Sequence, residues 1–479
     1  VCRSDAAPCL VCFNWVEDVP SHPHAYFSGI IVALILFVTP AFGQGSAPGA
    51  SGAADRLANM ALFGAVFDHI RGGYVDAPDE RELVRAAVQG MLTSLDPHSN
   101  YLSPDAYDDM REGISGEYAG VGLQTQMIDG AVTVMVAFED TPAGRVGIRA
   151  GDVIIAVDGI SIAGFSHDEA VSRMRGPTGS KVTIAVRREG VGDLIDFALE
   201  RAIIATPVVR WSMENDVALV TLASFSAQAA PGLTTAVDRI YAQRCGVAPK
   251  GLILDLRNNR GGLVDQAVLV ADAFLRRGAV VLIRGRSDQE SARFDAQSDA
   301  LDARLAEVPL IVLINGASAS AAEIVAGALQ DHARATLIGT RSFGKGSVQS
   351  IISLGGNGAI RLTTARYYTP SNRSIQALGI VPDIEIEQMV PPELAGADIV
   401  QGEASLVGHL TSEGQQLSST GSSAYVPLAK EDHAQLQYAL RLIAQMHDAT
   451  SDQARPISHG GQDLSPAIDA VHGSCAMAG

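Results

Sequence analysis

The chain has 479 residues, which at roughly 150 residues per domain corresponds to about three domains. Apolar residues make up 47% and charged residues 18%, enough to bury sizeable cores and too apolar for a globally disordered chain. The net charge of −18 leaves no excess of cations to displace counterions from a phosphate backbone, so nucleic acid is excluded as the expected partner.

Five cysteines are too few for a disulfide scaffold. Cys9 and Cys12 form a CxxC near Cys2, but no second pair or histidine follows at metal spacing. Cys245 and Cys475 could pair or stay free. From Ile30 to Val38 the chain is unbroken apolar, with no charge between Asp18 and Asp55. Nine residues suit the core of an export signal and fall short of the about 20 needed to span a membrane. Ala41-Phe42-Gly43 then offers small residues around a cleavage point. Arg3 is nearly alone as a cation before the run and is opposed by Asp5, Glu17 and Asp18, so a buried core helix is the rival reading. The expectation is an exported chain, with the signal cleaved or kept as an anchor. Gly45 to Ala54 reads as a flexible tether.

Beyond the tether, apolar residues recur three and four apart in Leu57, Met60, Ala61, Phe63, Val66, Phe67 and Ile70, which predicts a helix. Leu83, Val84, Ala87, Val88, Met91 and Leu92 predict a second, ending at Leu95-Asp96-Pro97 because proline cannot continue it. Near residue 116 the period changes to two. Val132, Val134 and Val136 alternate with Thr133, Met135 and Ala137, as in a half-buried strand, and Gly, Pro and Asp punctuate a small β-rich module to about residue 205. From 250 onward, Leu252-Ile253-Leu254 precedes a helix near 264–275, and the run Leu310 to Ile314 precedes one near 320–331. Such strand–turn–helix units favour a largely parallel sheet covered by helices. A last helix is expected at 430–446. The polar, Gly-rich tail from 449 to 479 is expected to be mobile, and no internal repeat is present.

Two segments carry chemistry. Asn315 to Glu323, NGASASAAE, lies between a buried strand and a helix, so a serine there sits at the positive end of the helix dipole. It still needs a base. Twenty-five residues after Ser320, Lys345 stands between two glycines in Ser342 to Gln349, flanked by apolar strand residues. Burial disfavours its ammonium form and makes it able to accept a proton. Three rivals fit less well. Gly339 to Lys345 nearly forms a phosphate-binding GxxxxGK, but Gly346 stands where Ser or Thr is required and a strand follows. Ser342 to Lys345 matches SxxK, yet that motif wants a helical turn. His98 and His332 are candidates for a Ser-His-Asp triad, but His98 lies in a turn and His332 ends a helix. A third segment, Asp255 to Gly262, follows a buried strand, and its paired glycines can turn a backbone N–H outward as an oxyanion donor.

In this order and spacing, the three segments resemble those of the carboxyl-terminal processing proteases, serine endopeptidases with a Ser-Lys dyad. The resemblance runs from about Leu57 to Val381. It carries the nucleophile onto Ser320 within S-A-S-A-A-E, the general base onto Lys345, and its supporting amide onto Gln349. The oxyanion donors fall on Ala321 and on Gly261 or Gly262. Arg260 departs from the usual proline and leaves the choice between those glycines open. The β-rich module resembles a PDZ domain, whose carboxylate-receiving loop falls on Gly120, Val121, Gly122 and Leu123. Such domains take an extended C-terminus as an added strand. Leu95 to Leu102 also matches a family signature and is read as structural.

The resemblance implies an α/β fold: a crotonase-like β/α protease core, an inserted β-rich PDZ domain and a helical N-terminal region. The expected divisions are 1–44 for the extension with its signal, 45–55 for the linker, 56–115 helical, 116–205 PDZ, 206–390 protease core, 391–448 helical and 449–479 tail. The implied activity is cleavage of protein or peptide substrates near accessible C-termini, in the bacterial periplasm or at the periplasmic face of the inner membrane. No metal and no other cofactor is implied. An adaptor protein and a homo-oligomer both remain open. Two other classes stand against this reading: a catalytically silent PDZ scaffold that binds protein C-termini, and a crotonase-like acyl-CoA enzyme.

Overall fold

A computed structural model describes residues 50–412 and 421–453. The run Ile30–Val38, Cys2, Cys9, Cys12, Cys475 and most of the expected tail lie outside these residues. Cys245 is disulfide-bonded. Among the described residues no helix is long and apolar enough to cross a membrane. The chain divides into two units, Val1–Pro78 and Asp79–Gly479.

In the first unit the described part is dominated by the helix Ala50–Gly73. It begins inside the stretch expected to be a tether. Ala50, Ala53 and Ala54 have the highest helix propensity of any residue type, which offsets the glycine among them.

The second unit opens with the helix Glu80–Thr93. The Asp79 carboxylate caps it, accepting the N–H groups of Arg81 and Glu82 at 2.8 and 3.1 Å. It stops before Pro97, as the sequence predicts. Strand Asn100–Leu102 and helix Pro104–Ser115 follow.

The β-rich module is an antiparallel sheet. Its strands run Leu123–Ile128, Ala131–Ala137, Val153–Val157, Lys181–Arg187 and Ile195–Glu200 in spatial order, with Ile160–Ser161 beside the third. Alternate residues Val132, Val134, Val182, Ile184 and Val186 point inward and meet Ala170 and Met174 of the helix His167–Met174. This is the period-two pattern realised as a small core.

The larger core is built on a six-stranded sheet in the order Val209–Glu214, Val217–Leu222, Gly251–Asp255, Leu310–Ile314, Thr336–Gly339, Ile384–Glu385. The first pair is antiparallel and the rest are parallel. Both faces are covered, which is why its central strands read as continuous apolar runs. Leu252, Leu254, Val312 and Ile314 pack with the helices Ala229–Gln243, Val264–Asp272 and Ala321–Asp331. Ile253, Ile311 and Leu313 pack on the other side with Leu436, Ala439 and Ile443 of the helix Ala434–Gln453. That last helix extends beyond its expected end at 446. A Cβ on Gly251 would lie 2.5 Å from Ile443, so glycine there lets the helix approach.

A second, antiparallel sheet joins Asn100–Leu102, Ala359–Tyr368, Arg277–Gly285 and Ala292–Gln297, with Ser347–Ser353 also on Ala359–Tyr368. Residues 399–412 and 421–424 are tied across the ends of the parallel strands. Gly316 N–H donates to Ser423 O at 3.0 Å, Asn315 to Ala424 O at 3.2 Å, and Glu403 N–H to Phe343 O at 2.9 Å.

Candidate active site

The site forms where the parallel strands end and three turns interlock. The first turn follows strand Gly251–Asp255. Asn259, wholly buried, donates to Leu222 O at 2.7 Å and accepts the Gly261 N–H at 2.9 Å, while its own carbonyl takes the Ala319 N–H at 2.9 Å. Asn258 and Asn315 close a reciprocal pair, Asn258 N–H to Asn315 Oδ1 at 3.0 Å and Asn315 Nδ2 to Asn258 Oδ1 at 2.9 Å. Arg257 is pinned by Asp255 at 2.6 and 2.9 Å and reaches Gln435 at 3.1 Å, which ties this turn to the last helix.

The second turn carries the serines, and their surroundings separate them. Ser318 is wholly buried and donates to Leu256 O at 2.8 Å while accepting the Asn315 N–H at 2.9 Å, so its hydroxyl is occupied by the fold. Ser320 stands at the N-terminus of the helix Ala321–Asp331 with φ 57 and ψ −114. A positive φ in a residue other than glycine costs of order 1–3 kcal/mol and persists only where the surroundings enforce it. Gly261 leaves room for it: a Cβ there would lie 2.8 Å from Ser320 Cβ and 3.0 Å from Ala321 N.

The third turn carries Lys345. Gly344 adopts φ +94, and a Cβ on Gly346 would lie 2.3 Å from Gln376 N, so the glycines flanking the lysine answer to backbone conformation and close approach. The Ser342 hydroxyl donates to Glu323 at 2.5 Å and accepts the Ile380 N–H at 2.7 Å. It is occupied in the same sense as Ser318.

Glu323 joins the second and third turns. Its side chain is wholly buried and accepts four donors: Ser320 N–H at 2.7 Å and Lys345 N–H at 2.9 Å on Oε2, and Gly344 N–H at 2.6 Å and Ser342 Oγ on Oε1. Burial pushes its carboxyl up to about 7, against the pull of those four donors. The capping-box spacing Ser320-x-x-Glu323 marks its bond to the Ser320 N–H in the sequence, but not its bonds to Ser342, Gly344 and Lys345, which lie 19 to 22 residues away in a different turn.

Lys345 is half-buried. Desolvation lowers its pKa from 10.5, with Arg361 acting in the same direction; Glu403, Glu323 and Asp96 oppose. Ser320 Oγ and Lys345 Nζ are not hydrogen-bonded to each other here; their main chains are held together through Glu323. Tyr367, also missed by sequence reasoning, is buried beside Ser320. Burial raises its phenol, and the nearby Ser320 hydroxyl tempers the rise.

The other expected site residues fall as follows. Gln349 Nε2 donates to Ser347 at 2.9 Å and Thr363 at 3.3 Å, joining a network with Asp96 and Ser99 rather than bonding the lysine amine. The Gly261 N–H is held by Asn259, whereas the Gly262 and Ala321 N–H groups have no acceptor among the described residues. Gly120, Val121, Gly122 and Leu123 line a cavity of about 630 Å³ beside His167, Val171 and Met174 of the module's helix. His98 turns toward Glu403, and His332 caps its helix and bonds Ala279 O at 2.7 Å. Among the described residues no group of three or more His, Cys, Asp or Glu is placed to hold a metal ion.

Comparison with known proteins shows the family. The family model described as "Peptidase family S41" matches residues 216–386, and the "PDZ domain" model matches 133–188. A carboxy-terminal-processing protease of Bartonella bacilliformis is 46% identical over 385 residues, covering 80% of this chain and 88% of the relative. A carboxyl-terminal-processing protease of Synechocystis is 35% identical over 370 residues, covering 73% and 84%. A carboxy-terminal processing protease of Bacillus subtilis is 33% identical over 357 residues, covering 74% of each. Among solved structures, a photosystem II D1 C-terminal processing protease is 28% identical, covers 70% of this chain and 95% of its own, and gives a TM-score of 0.40. With its S41 core and its PDZ domain, the chain belongs to the carboxy-terminal processing serine proteases.

Proposed function

We propose that the protein is an endopeptidase that cleaves protein substrates near their C-termini through a Ser320–Lys345 dyad. The observation that carries this reading is the shared Glu323 oxygen, which holds the main chains of Ser320 and Lys345 in one unit while Ser318 and Ser342 are committed to structure. Lys345, neutral when active, takes the proton from Ser320 Oγ as that oxygen attacks the substrate carbonyl. A direct Ser–Lys hydrogen bond is expected to close when substrate is bound. The tetrahedral oxyanion is received by the Ala321 N–H and by the Gly262 N–H, both without acceptors here. Gly261 contributes close approach to Ser320. Lys345 returns the proton to the leaving amine, and the Lys345 amine, neutral again, then takes a proton from water as that water attacks the acyl-enzyme and releases the acyl group from Ser320.

The groove at Gly120 to Leu123 receives the substrate's terminal carboxylate and presents or gates the chain for cleavage. The apolar lining from Phe138, Val171 and Met174 favours an apolar C-terminal side chain. We place the enzyme in the bacterial envelope, on the apolar run Ile30–Val38 read as an export signal. A fluorophosphonate probe tests the nucleophile directly. Mass spectrometry is expected to find the adduct on the peptide containing Ser320, and to find none in Ser320→Ala. An adduct on Ser342, or cleavage activity that survives in Ser320→Ala, would overturn the assignment. A silent scaffold would bind C-terminal peptides and yield no adduct.

A further inference from the structure

Glu403 is 1% exposed, and none of the three segments read as chemical contains it. It lies in the turn Glu403–Ser405, on the segment tied across the strand ends. His98 Nε2 stands 2.9 Å from both of its oxygens. Gln376, wholly buried, donates through Nε2 to Glu403 Oε1 at 3.0 Å and to Leu410 O at 3.1 Å. The same Gln376 accepts the Gly346 N–H on Oε1 at 3.0 Å. Glu403 also donates its own N–H to Phe343 O at 2.9 Å. The lysine turn is thus held on one side of Lys345 at Phe343 and on the other at Gly346, both times by the same cluster.

We propose that His98, Gln376 and Glu403 are positioning residues for the general base, forming a second clamp on the Lys345 turn, distinct from Glu323, and setting the charge that the amine meets. The proposal rests on Lys345 being the base. It gives the 95–102 turn, read from sequence as structural, a part in catalysis.

The charged groups that act on the Lys345 amine are Arg361, which disfavours its ammonium form, and Glu403, Glu323 and Asp96, which favour it. The His98 imidazole meets Glu403, while its main chain is held by Asp96, which accepts the His98 main-chain N–H at 2.8 Å, and by Arg361, whose Nε donates to His98 O at 3.2 Å. An anion beside the amine favours its ammonium form. Removing the charge of Glu403 therefore makes Lys345 easier to deprotonate, and the acid limb of the rate profile moves to lower pH. Breaking the link at Gln376 leaves the Gly346 N–H without an acceptor and misplaces the base without changing the charge.

The test is kcat and KM against pH for the full chain on an unstructured fluorogenic peptide. Glu403→Gln keeps the shape and removes the charge; its acid limb is expected to shift to lower pH with a reduced kcat. Glu403→Asp should return the limb to its wild-type position. Gln376→Leu should lower kcat by about tenfold, the equivalent of one lost buried hydrogen bond, with KM and the limb unchanged. A wild-type limb and kcat in Glu403→Gln would overturn the proposal, as would equal losses in kcat and KM with no shift. Should Glu403→Gln fail to fold, Glu403→Asp and His98→Asn carry the test. A fall in kcat at constant KM in either supports the clamp, and wild-type kcat in both refutes it. Full activity in Lys345→Ala is a different failure, that of the base assignment itself.

Discussion

The Lys345 main-chain N–H meets Glu323 Oε2 at 2.9 Å, on the same oxygen that takes the Ser320 main-chain N–H at 2.7 Å. One buried carboxylate thus registers the Ser320 turn against the Lys345 turn. Glu323→Gln replaces an oxygen acceptor with an amide that confronts the same N–H groups as a donor. A buried donor left unsatisfied costs about 1–3 kcal/mol. The variant is expected to lose at least about tenfold in kcat and to melt several degrees lower, as read by peptide cleavage and thermal unfolding.

The pH dependence follows from the shifts. In the proposed dyad Lys345 accepts a proton only when neutral, and its pKa lies below the ordinary 10.5, so kcat/KM should rise with pH along a limb below that value. Arg361 is one of the groups that lowers it. Arg361→Gln should therefore move the limb to higher pH, the opposite direction to Glu403→Gln. A limb that stays put would separate Arg361 from the base. Glu323 adds a stability effect of known sign. Its folded pKa of about 7 lies above the ordinary 4.5, so its contribution is complete below 4.5 and lost as pH rises through about 7. Chemical denaturation on either side of that window should show wild type losing stability relative to Glu323→Gln as pH rises.

Gly261→Ala tests the close approach at Ser320. The added Cβ would lie 2.8 Å from Ser320 Cβ at a residue with φ +98. The expected outcome is cleavage reduced by two orders of magnitude or more, with a destabilisation of about 1–3 kcal/mol. Wild-type turnover would show that Ser320 does not need its observed conformation.

Gly122→Ala tests the peptide groove in the same way. Its Cβ would fall 2.2 Å from Thr141 Cβ at φ +86, which must displace the loop expected to receive the carboxylate. Fluorescence anisotropy should show weakened binding of a peptide with a free C-terminus. The amidated peptide should bind poorly to both proteins.

Much of this was legible in the sequence, for reasons that are local. The run Leu310 to Ile314 is apolar throughout because both faces of its strand are covered, and a glycine-rich turn and a helix follow it. The serine and lysine motifs lie in adjacent turns at the ends of neighbouring parallel strands, which fixes their spacing. What escaped was set by distance along the chain. Glu403 and His98 meet across 305 positions, and nothing in either neighbourhood marks them as partners. Gln349 was expected on the lysine amine, yet it is drawn to Ser347 and Thr363 by a strand pairing that the motif does not reveal. Ala50 to Ala54 reads as tether by its small residues, yet those same alanines favour the helix that forms.

The dyad is tested most directly by cleavage of casein with wild type, Ser320→Ala, Lys345→Ala and Ser342→Ala, each first shown to be folded. Loss of activity in the first two variants and measurable cleavage in the third is the result expected of a Ser320–Lys345 dyad with Ser342 in a supporting place. Activity that survives in Ser320→Ala or Lys345→Ala would contradict it.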